Sequence, residues 1–260
     1  TMLRTMIDHP RFAEFDLSSI ERIRYGASTI DDALLDRAMQ LFPNVGFVQA
    51  YGMTELSPVA TLLGPDDHGP EGRAKGRVRS AGKATHMTEV RIVDTDDNEV
   101  PRGTVGEIVA RGPTVMLGYW GMPEATAEAT RGGWMHTGDL GWMDEDGYIT
   151  VVDRLKDMII TGGENVYSAE VENALSTHPA IAALAVIGVP DPQWGETVQA
   201  VVVLRPGQEA DPKALQDYCR NQIAGYKVPR KFVFVDSLPL SAAGKILKNE
   251  LRAMYRTPAS

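Results

Sequence analysis

The first part of the chain alternates between strand-like and helix-like apolar patterns. Residues 20–25 alternate apolar and polar side chains and end at Gly26. Residues 31–42 carry an apolar stripe at helical spacing, and residues 45–50 form a second strand-like run. A strand, a helix and a strand at this spacing predict an open α/β sheet.

From about Gly82 the pattern changes to short strands joined by turns. Residues 89–93 and 106–111 alternate, and residues 148–152 follow a turn that is rich in Asp and Gly. Because no helical pattern separates these runs, we expect them to form an antiparallel or β-barrel-like subdomain.

A third pattern begins after residues 153–156 and mixes helices with buried strands. We predict strands at residues 181–189, 198–204 and 232–235, and helices at residues 170–178, 211–225 and 245–255. Asp211 can cap the second of these helices, with Pro212 at its first position and Gly225 at its end. These elements fit a compact α+β domain of about 100 residues. The sequence therefore predicts two domains, residues 1–155 and residues 156–260.

The composition limits the classes of partner and location. Hydrophobic residues make up 43% of the 260 positions, which is normal for a packed chain. The formal net charge of -9 argues against a nucleic-acid partner, because phosphates require a basic face. No apolar run reaches the roughly 18 residues of a membrane span, and the first residues lack the pattern of a secretory signal. We expect a cytoplasmic protein.

The chain contains one cysteine and five histidines. Cys219 occupies an apolar position of a helical pattern, so we expect it to be buried in the core rather than to act as a nucleophile. The histidines are scattered without ligand spacing, which predicts no histidine metal site.

Four short motifs contain residues that suit nucleotide chemistry, and the first is Tyr51-Gly52-Met53-Thr54-Glu55 after a strand-like run. Glycine lets the backbone approach a ligand. Thr54 offers a hydroxyl to a phosphate, Glu55 a hard carboxylate to Mg²⁺, and Tyr51 a flat face to a base. For this motif alone, a loop with a chance Thr-Glu pair is the alternative.

The second motif, residues 134–140, contains Thr137-Gly138-Asp139. The two oxygens of a carboxylate can accept both hydrogen bonds of a ribose diol, as in dinucleotide sites. Taken alone, Thr-Gly-Asp is also typical of a plain turn.

The third motif, residues 153–157 followed by residues 161–165, joins two patterns. Arg154 can bind a ribose or a phosphate with its planar fork of donors, and the pair Gly162-Gly163 offers a bare backbone that could line a channel. A charged linker with a tight turn is the alternative.

The fourth motif, residues 239–248, contains Gly244-Lys245 before a predicted helix. It resembles a phosphate-binding turn but lacks the full P-loop spacing. A single lysine on a flexible loop is usually a solvated charge, and we expect the same of Lys248 on the opening turn of the helix.

In this order the motifs resemble those of the AMP-forming acyl- and aryl-CoA synthetase family, which also contains peptide-synthetase adenylation domains and firefly luciferase. The resemblance includes residues 106–112 and 118–120 and covers almost the whole chain. It implies that residues 1–155 are the C-terminal part of the large adenylate-forming domain, an α/β sheet followed by a β-barrel-like subdomain. Residues 156–260 would be the small mobile C-terminal α+β domain.

The resemblance also implies roles for single residues. Gly26-Ala27-Ser28 and Tyr51-Gly52 would frame the adenine, with Met53 among the nucleotide-binding residues, Thr54 at the α-phosphate, Glu55 on Mg²⁺, and Asp139 and Arg154 on the ribose. Lys156 would be the hinge, Lys245 would reach the carboxylate and the α-phosphate, and Gly162, Gly163 and Trp194 would line the pantetheine path of coenzyme A. The catalytic residues predicted in this way are Lys245, Thr54 and Lys156.

The family makes an acyl adenylate from a carboxylic acid and ATP, releasing pyrophosphate, and then transfers the acyl group to coenzyme A, releasing AMP. Residues 162–168 are most like those of bacterial fatty-acid–CoA ligases, which implies a medium- or long-chain fatty acid as substrate. The alternatives are an aryl-acid CoA ligase, an adenylation domain, a luciferase-like oxygenase and a non-catalytic nucleotide-binding domain. A homo-oligomer is compatible with these readings.

The chain departs from the family in one respect. No Ser-Gly-Thr-Thr-Gly-like phosphate loop occurs in it. That loop and the first half of the large domain precede these motifs in the family, so we expect this chain alone to be inactive.

Overall fold

The computed structural model describes residues 2–26, 30, 32–241 and 244–256. The chain divides into two compact units, Thr1–Val151 and Val152–Ser260, and each is described by itself. The division lies slightly ahead of the boundary at Lys156 that the sequence predicts. None of the described helices is both long and apolar enough to cross a membrane.

The large unit begins with a mixed four-stranded sheet. Its helices are α1 (Met2–Ile7), α2 (Asp32–Leu41), α3 (Pro65–His68) and α4 (Pro70–Ala74), and its strands are β1 (Arg22–Gly26), β2 (Gly46–Tyr51), β3 (Thr61–Leu63) and β4 (Lys83–Ala84). The strand order is β1-β2-β3-β4. β1 and β2 are parallel and connected through α2, as predicted, whereas β3 and β4 are added in antiparallel fashion. Leu35 and Ala38 of α2 form a buried core with Phe42 and Phe47.

A second four-stranded sheet follows in the large unit. It contains β5 (Glu89–Val93), β6 (Gly106–Arg111), β7 (Met135–Met143) and β8 (Ile149–Arg154), with helix α5 (Pro123–Ala129) in the connection between β6 and β7. The division between the units falls within β8, whose residues from Val152 onward belong to the small unit. The strands pair in sequence order, and β5, β6 and β7 are antiparallel neighbours. Of the two forms that the sequence left open, the structure therefore shows the antiparallel sheet. Its core contains Ile92, Ile108, Met143 and Ile149.

The small unit is an α+β domain around a five-stranded sheet. Its elements are β9 (Ile159–Thr161), β10 (Glu164–Val166), α6 (Ser168–Ser176), β11 (Ile181–Asp191), β12 (Gly195–Leu204), α7 (Pro212–Arg220), β13 (Lys231–Phe234) and α8 (Lys248–Tyr255). The order is β10-β9-β12-β11, and β13 pairs with β12 in parallel.

Helices cover both faces of this sheet. Leu184 and Val186 of β11 lie in one core with residues of α6 and α7. Ala185 and Ile187 point to the opposite face, where Leu251 of α8 covers them. Successive side chains of a strand alternate between faces, so a strand that is buried on both sides reads as a continuous apolar run, as residues 184–189 do.

In the small unit the predicted helix at residues 170–178 is observed two residues earlier, at Ser168–Ser176, and two other predicted helix bounds are wrong by three residues or more. Asp211 caps α7 as expected, with Ala214 N donating to its Oδ2 at 3.1 Å, but the helix ends at Arg220 rather than near Gly225. Beyond the helix, one further turn is closed by Ile223 N donating to Cys219 O at 3.1 Å. This turn packs Ile223 against the same core as α7, which explains why the apolar pattern continues past the end of the helix. The last helix begins at Lys248 rather than Lys245, because Ile246 forms a bridge to Leu240 instead. Cys219 is buried, as predicted.

We expect the large unit to lose stability in mild acid because of His68. Its ring is buried, Nδ1 lies 2.7 Å from Gly64 O, and Nε2 lies 2.7 Å from the Tyr25 hydroxyl. Burial lowers the pKa of His68 from 6.5. The unfolded chain therefore binds a proton before the folded one does. The contribution of His68 to the free energy of unfolding is fully present above the pKa that this histidine has in the unfolded chain. It is lost as the pH drops through that value, by at most about 1.4 kcal/mol per pH unit.

Thermal or denaturant unfolding between about pH 7.5 and 5 measures this loss. A His68→Gln variant should have a flatter profile than the unsubstituted chain. A His9→Gln variant is the control, because His9 is exposed and should leave the profile unchanged. An unchanged profile in His68→Gln would show that other groups cause the acid sensitivity.

Candidate active site

The first motif lies where β2 ends and the chain enters a short 3-10 helix at Thr54–Leu56. A Cβ at Gly52 would lie 2.1 Å from Pro58 O, and one at Gly26 would lie 2.1 Å from Ala50 O. Both glycines are therefore required by the approach of the protein's own backbone, in addition to any contact with a ligand. Two other residues predicted for adenine, Ala27 and Ser28, lie outside the described residues.

Tyr51 connects the first motif to the second. Its hydroxyl donates to Asp139 Oδ2 at 2.9 Å, across 88 positions of sequence. The ring of Tyr51 packs beside a buried cluster that includes Leu56, and Met53 packs against the same cluster. The structure thus brings together two residues that the sequence assigned separately to base and ribose.

Thr54 and Glu55 follow on the short helix. Thr54 is exposed and Glu55 is half-buried. The Tyr119 hydroxyl donates to Glu55 Oε1 at 2.9 Å, and Met116 N donates to Glu55 O at 2.8 Å. Burial, followed by the bond to Glu55, raises the pKa of Tyr119. No role was predicted for Tyr119, although residues 118–120 belong to the motif series.

Asp139 lies in a bulge of β7. Opposite Ile108 of β6, strand β7 contains the three residues Thr137-Gly138-Asp139. Gly138 has a φ of +68°, a conformation that favours glycine. The motif is therefore a bulge inside a buried strand rather than a turn at its edge, and bulges commonly redirect a side chain at a site.

The bulge is held by polar contacts that the sequence did not single out. Glu107 Oε1 accepts from Gly138 N at 3.0 Å, and Glu107 Oε2 lies 2.8 Å from His136 Nδ1. Arg131 donates to Glu107 Oε2 at 3.3 Å. The available signal was Glu107 itself, which stands in the motif of residues 106–112.

In the small unit, the two aspartates of the linker motif are anchored. The carboxylate of Asp153 accepts hydrogen bonds from Ser168 N, from Ser168 Oγ at 2.9 Å and from Ala169 N at 3.4 Å, which caps the first turn of α6. Asp157 pairs with Arg252 of α8. Arg154 and Lys156 between them are exposed, and Lys156 lies in the 3-10 turn Leu155–Asp157.

The glycine pair forms the turn of the β9–β10 hairpin. Thr161 pairs with Glu164, and the φ angles of Gly162 and Gly163 are +61° and +84°. Two consecutive positive φ angles are typical of a type I′ hairpin turn, which requires such residues. Trp194 packs on this turn, since a Cβ at Gly162 would lie 2.8 Å from its ring. The structure therefore brings these three predicted residues together.

Lys245 projects from a fixed backbone. Lys245 N donates to Ser241 Oγ at 3.1 Å, and Ser241 N donates to Lys245 O at 2.8 Å. Gly244 has a φ of +75°. The side chain is exposed, and within the described part of the chain no carboxylate forms an ion pair with it. The backbone of Lys245 is therefore hydrogen-bonded to Ser241 through both its N–H and its carbonyl.

The prediction that Lys248 is a solvated lysine is wrong. Its Nζ lies 2.7 Å from Glu172 Oε1 and donates to Ser168 Oγ at 2.7 Å, and its side chain is only 15% exposed. Burial raises the pKa of Glu172, and the charge of Lys248 opposes that rise. Lys248 therefore connects α8 to α6, and its loss would leave the partly buried carboxylate of Glu172 without its cationic partner.

The donor set of the large unit suits magnesium nucleotide. In the described ranges no group of three His, Cys, Asp or Glu side chains could hold a metal ion. Mg²⁺ in phosphoryl sites is bound through one or two carboxylates together with substrate phosphates. A single carboxylate such as Glu55 fits that mode, and it stands beside the exposed hydroxyl of Thr54.

Comparison with known proteins agrees with this chemistry. The model of the AMP-binding enzyme family matches residues 1–120, and the model of the AMP-binding enzyme C-terminal domain matches residues 170–245. A feruloyl-CoA synthase from an Amycolatopsis species is 46% identical over 255 residues, which are 98% of this chain and 50% of that protein. A medium/long-chain-fatty-acid–CoA ligase of Mycobacterium tuberculosis is 41% identical over 262 residues, covering 98% of this chain and 45% of that protein.

A solved structure extends the likeness to the fold. The o-succinylbenzoate coenzyme A synthetase of Bacillus subtilis, in complex with ATP and a magnesium ion, matches with a TM-score of 0.82 and 34% identity. The match covers 96% of this chain and 49% of that one. This chain thus spans about half the length of the relatives it matches. The two family models between them match most of its residues, and the chain belongs to the AMP-binding enzyme family.

Proposed function

We propose that the protein containing this chain is an ATP-dependent, AMP-forming acid–CoA ligase that makes an acyl adenylate and transfers the acyl group to coenzyme A. The observation that carries the proposal is the contact between Tyr51 and Asp139. It gathers two motifs of the series at one end of β2, next to Thr54 and Glu55. The proposed nucleotide ligands of the large unit are these four residues with Gly26, Gly52 and Met53.

The chemistry of adenylation explains why these residue types are needed. A carboxylate and ATP are both anions and repel each other, so catalysis depends on positioning and charge stabilisation. Asp139 accepts hydrogen bonds from the ribose, Thr54 donates to the α-phosphate, and Arg154 supplies a planar donor fork. Glu55 would hold Mg²⁺, which supplies positive charge at the phosphates when it is bound. Lys245 places a point charge between the two reacting oxyanions.

We propose the small domain as the part that changes position between the two half-reactions, with Lys156 as its hinge. Gly162, Gly163 and Trp194 then line the pantetheine path. The hairpin turn presents bare backbone beside the Trp194 indole, and the Arg230 guanidinium lies 4.3 Å from the centre of that ring. A narrow thioalkyl chain suits such a surface, because no side chain projects from the two glycines.

We propose a medium- or long-chain fatty acid as the substrate and an aryl-propenoic acid as the second candidate. The fatty-acid proposal is supported by residues 162–168 and by the ligase from Mycobacterium tuberculosis. The aryl acid is supported by the feruloyl-CoA synthase, whose identity to this chain is higher. A cytoplasmic location and a homo-oligomer stay predictions.

Pyrophosphate exchange tests the function and the substrate class together. The full-length protein, given ATP, labelled pyrophosphate and a panel of saturated C8–C16 fatty acids and hydroxycinnamic acids, should incorporate label into ATP with one class of acid only. The present chain alone, which lacks the phosphate loop, should bind nucleotide weakly and show no exchange. Exchange by neither class of acid in the full-length protein would refute the proposed adenylation.

A further inference from the structure

Glu107 is a nearly buried carboxylate for which the proposed chemistry has no role. Its side chain is 11% exposed and makes contacts through both oxygens. Oε1 accepts from the backbone of Gly138 at 3.0 Å. Oε2 lies 2.8 Å from His136 Nδ1 and 3.3 Å from an Arg131 nitrogen. A carboxylate with a backbone donor on one oxygen and cationic or ring donors on the other is held in one orientation.

The bulge of β7 creates a need for such an acceptor. Three residues of β7 stand opposite Ile108 of β6, so the regular ladder cannot pair all of their backbone groups. The Thr137 hydroxyl provides a partner for two of these backbone groups, since it donates to Ile108 O at 2.7 Å and accepts from Asp139 N at 3.1 Å. Glu107 provides the acceptor for a third, Gly138 N. The Gly138 N–H is partly buried, and leaving it without an acceptor would disfavour the bulge.

We propose that Glu107 is a positioning residue for Asp139, which it orients toward the ribose by fixing the Thr137-Gly138-Asp139 bulge. This inference rests on the proposed function, in which Asp139 binds the ribose. Glu107 acts through the backbone of Gly138, which directly precedes Asp139. Tyr51 holds the Asp139 carboxylate itself, by donating to its Oδ2. Arg131 and His136 contact the other oxygen of Glu107, Oε2.

The test compares nucleotides with and without a ribose hydroxyl. In the full-length protein, equilibrium binding and KM are measured for ATP and for 3′-deoxy-ATP. Asp139→Ala should abolish the preference for ATP. Glu107→Ala should reduce that preference by about tenfold, the scale of one hydrogen bond to a charged group, while changing kcat less than KM. The double variant should be no worse than Asp139→Ala alone, because both residues serve one contact.

Two further variants keep the result interpretable. Glu107→Gln retains a carbonyl oxygen for Gly138 N–H and should recover most of the preference, which also covers the case in which Glu107→Ala fails to fold. Glu128→Gln is the matched control, since Glu128 also contacts Arg131, at 3.3 Å, but is exposed and has no contact with the bulge. It should behave like the unsubstituted protein.

The outcomes separate the inference from the function on which it rests. If Asp139→Ala loses the preference for ATP while Glu107→Ala and Glu107→Gln keep it, the positioning role is overturned and the function stands. If the losses from Glu107→Ala and Asp139→Ala multiply in the double variant, Glu107 acts on the fold in general and the inference again fails. If the unsubstituted protein neither uses ATP nor distinguishes the two nucleotides, the proposed function fails with it.

Discussion

Replacing Lys245 by alanine in the full-length protein should lower the rate of adenylate formation by about a hundredfold or more, the scale of one lost electrostatic stabiliser. The same variant, given ready-made acyl adenylate and coenzyme A, should form thioester at close to the normal rate. The lysine is needed while the carboxylate and the α-phosphate are being joined, because its charge then offsets the repulsion between them. Once the adenylate exists, that repulsion is gone.

The structure makes Lys245 a favourable position for this substitution. Its backbone is fixed by hydrogen bonds with Ser241, and these do not depend on the side chain. The side chain is exposed, so truncation leaves no cavity. Rapid-quench measurement of each half-reaction gives the two rates separately.

The control for Lys245 must be a lysine whose loss is harmless, and Lys248 does not qualify because it is itself nearly buried and pairs with the partly buried Glu172. Lys213 of α7 does qualify. Its side chain is 79% exposed, and its ion pair with Asp217, at 3.1 Å, is of the surface kind that contributes little. Lys213→Ala should change neither half-reaction. If Lys245→Ala leaves adenylation intact, or slows both steps alike, Lys245 does not have the proposed role.

Lys156→Pro in the full-length protein should lower the rate of thioester formation by about thirtyfold and the rate of adenylation by less. Proline fixes φ near -65° and disfavours the helical conformation of the preceding residue. A hinge that must adopt two backbone states is thereby confined. Forcing one residue into an unfavourable conformation costs about 2 kcal/mol, which corresponds to the stated change in rate. Separate assays of the two half-reactions measure it.

Leu155→Pro is the matched control for the hinge. Arg154 is extended, with φ -91° and ψ 137°, which is the conformation that a following proline favours. Leu155 is the first residue of the short helix, where proline is well tolerated. This variant should retain both half-reactions. Equal losses of both steps in Lys156→Pro would place the hinge elsewhere.

The elements that could be predicted from sequence are those with a strong period. Residues 184–189 are a continuous apolar run, which indicates a strand that is covered on both faces. The helical stripe of residues 31–42 indicates α2. The elements β9 and β10 have three residues each, too few to show any period. The start of α8 was misplaced because Lys245 and Ile246 pair with residues 240–241, a contact that local pattern does not contain.

The candidate site was predictable in its residue types and less so in its geometry. The hydroxyl and carboxylates of the first two motifs suit a nucleotide, and that much is visible in sequence. The close approach of Gly52 to Pro58, and the support of the bulge by Glu107, depend on chain segments brought together by the sheets. The pairing of Lys248 with Glu172 was missed for the same reason, since 76 residues separate them.

The buried hydroxyl of Ser168 links the two parts of the small domain that are proposed to change during the reaction. It donates to Asp153, which stands just before the proposed hinge, and it accepts from Lys248, which directly follows the segment that carries Lys245. A rotation of the linker that withdraws Asp153 must redirect this hydroxyl and uncover the first amides of α6. Hydrogen exchange at those amides would therefore record the position of the linker.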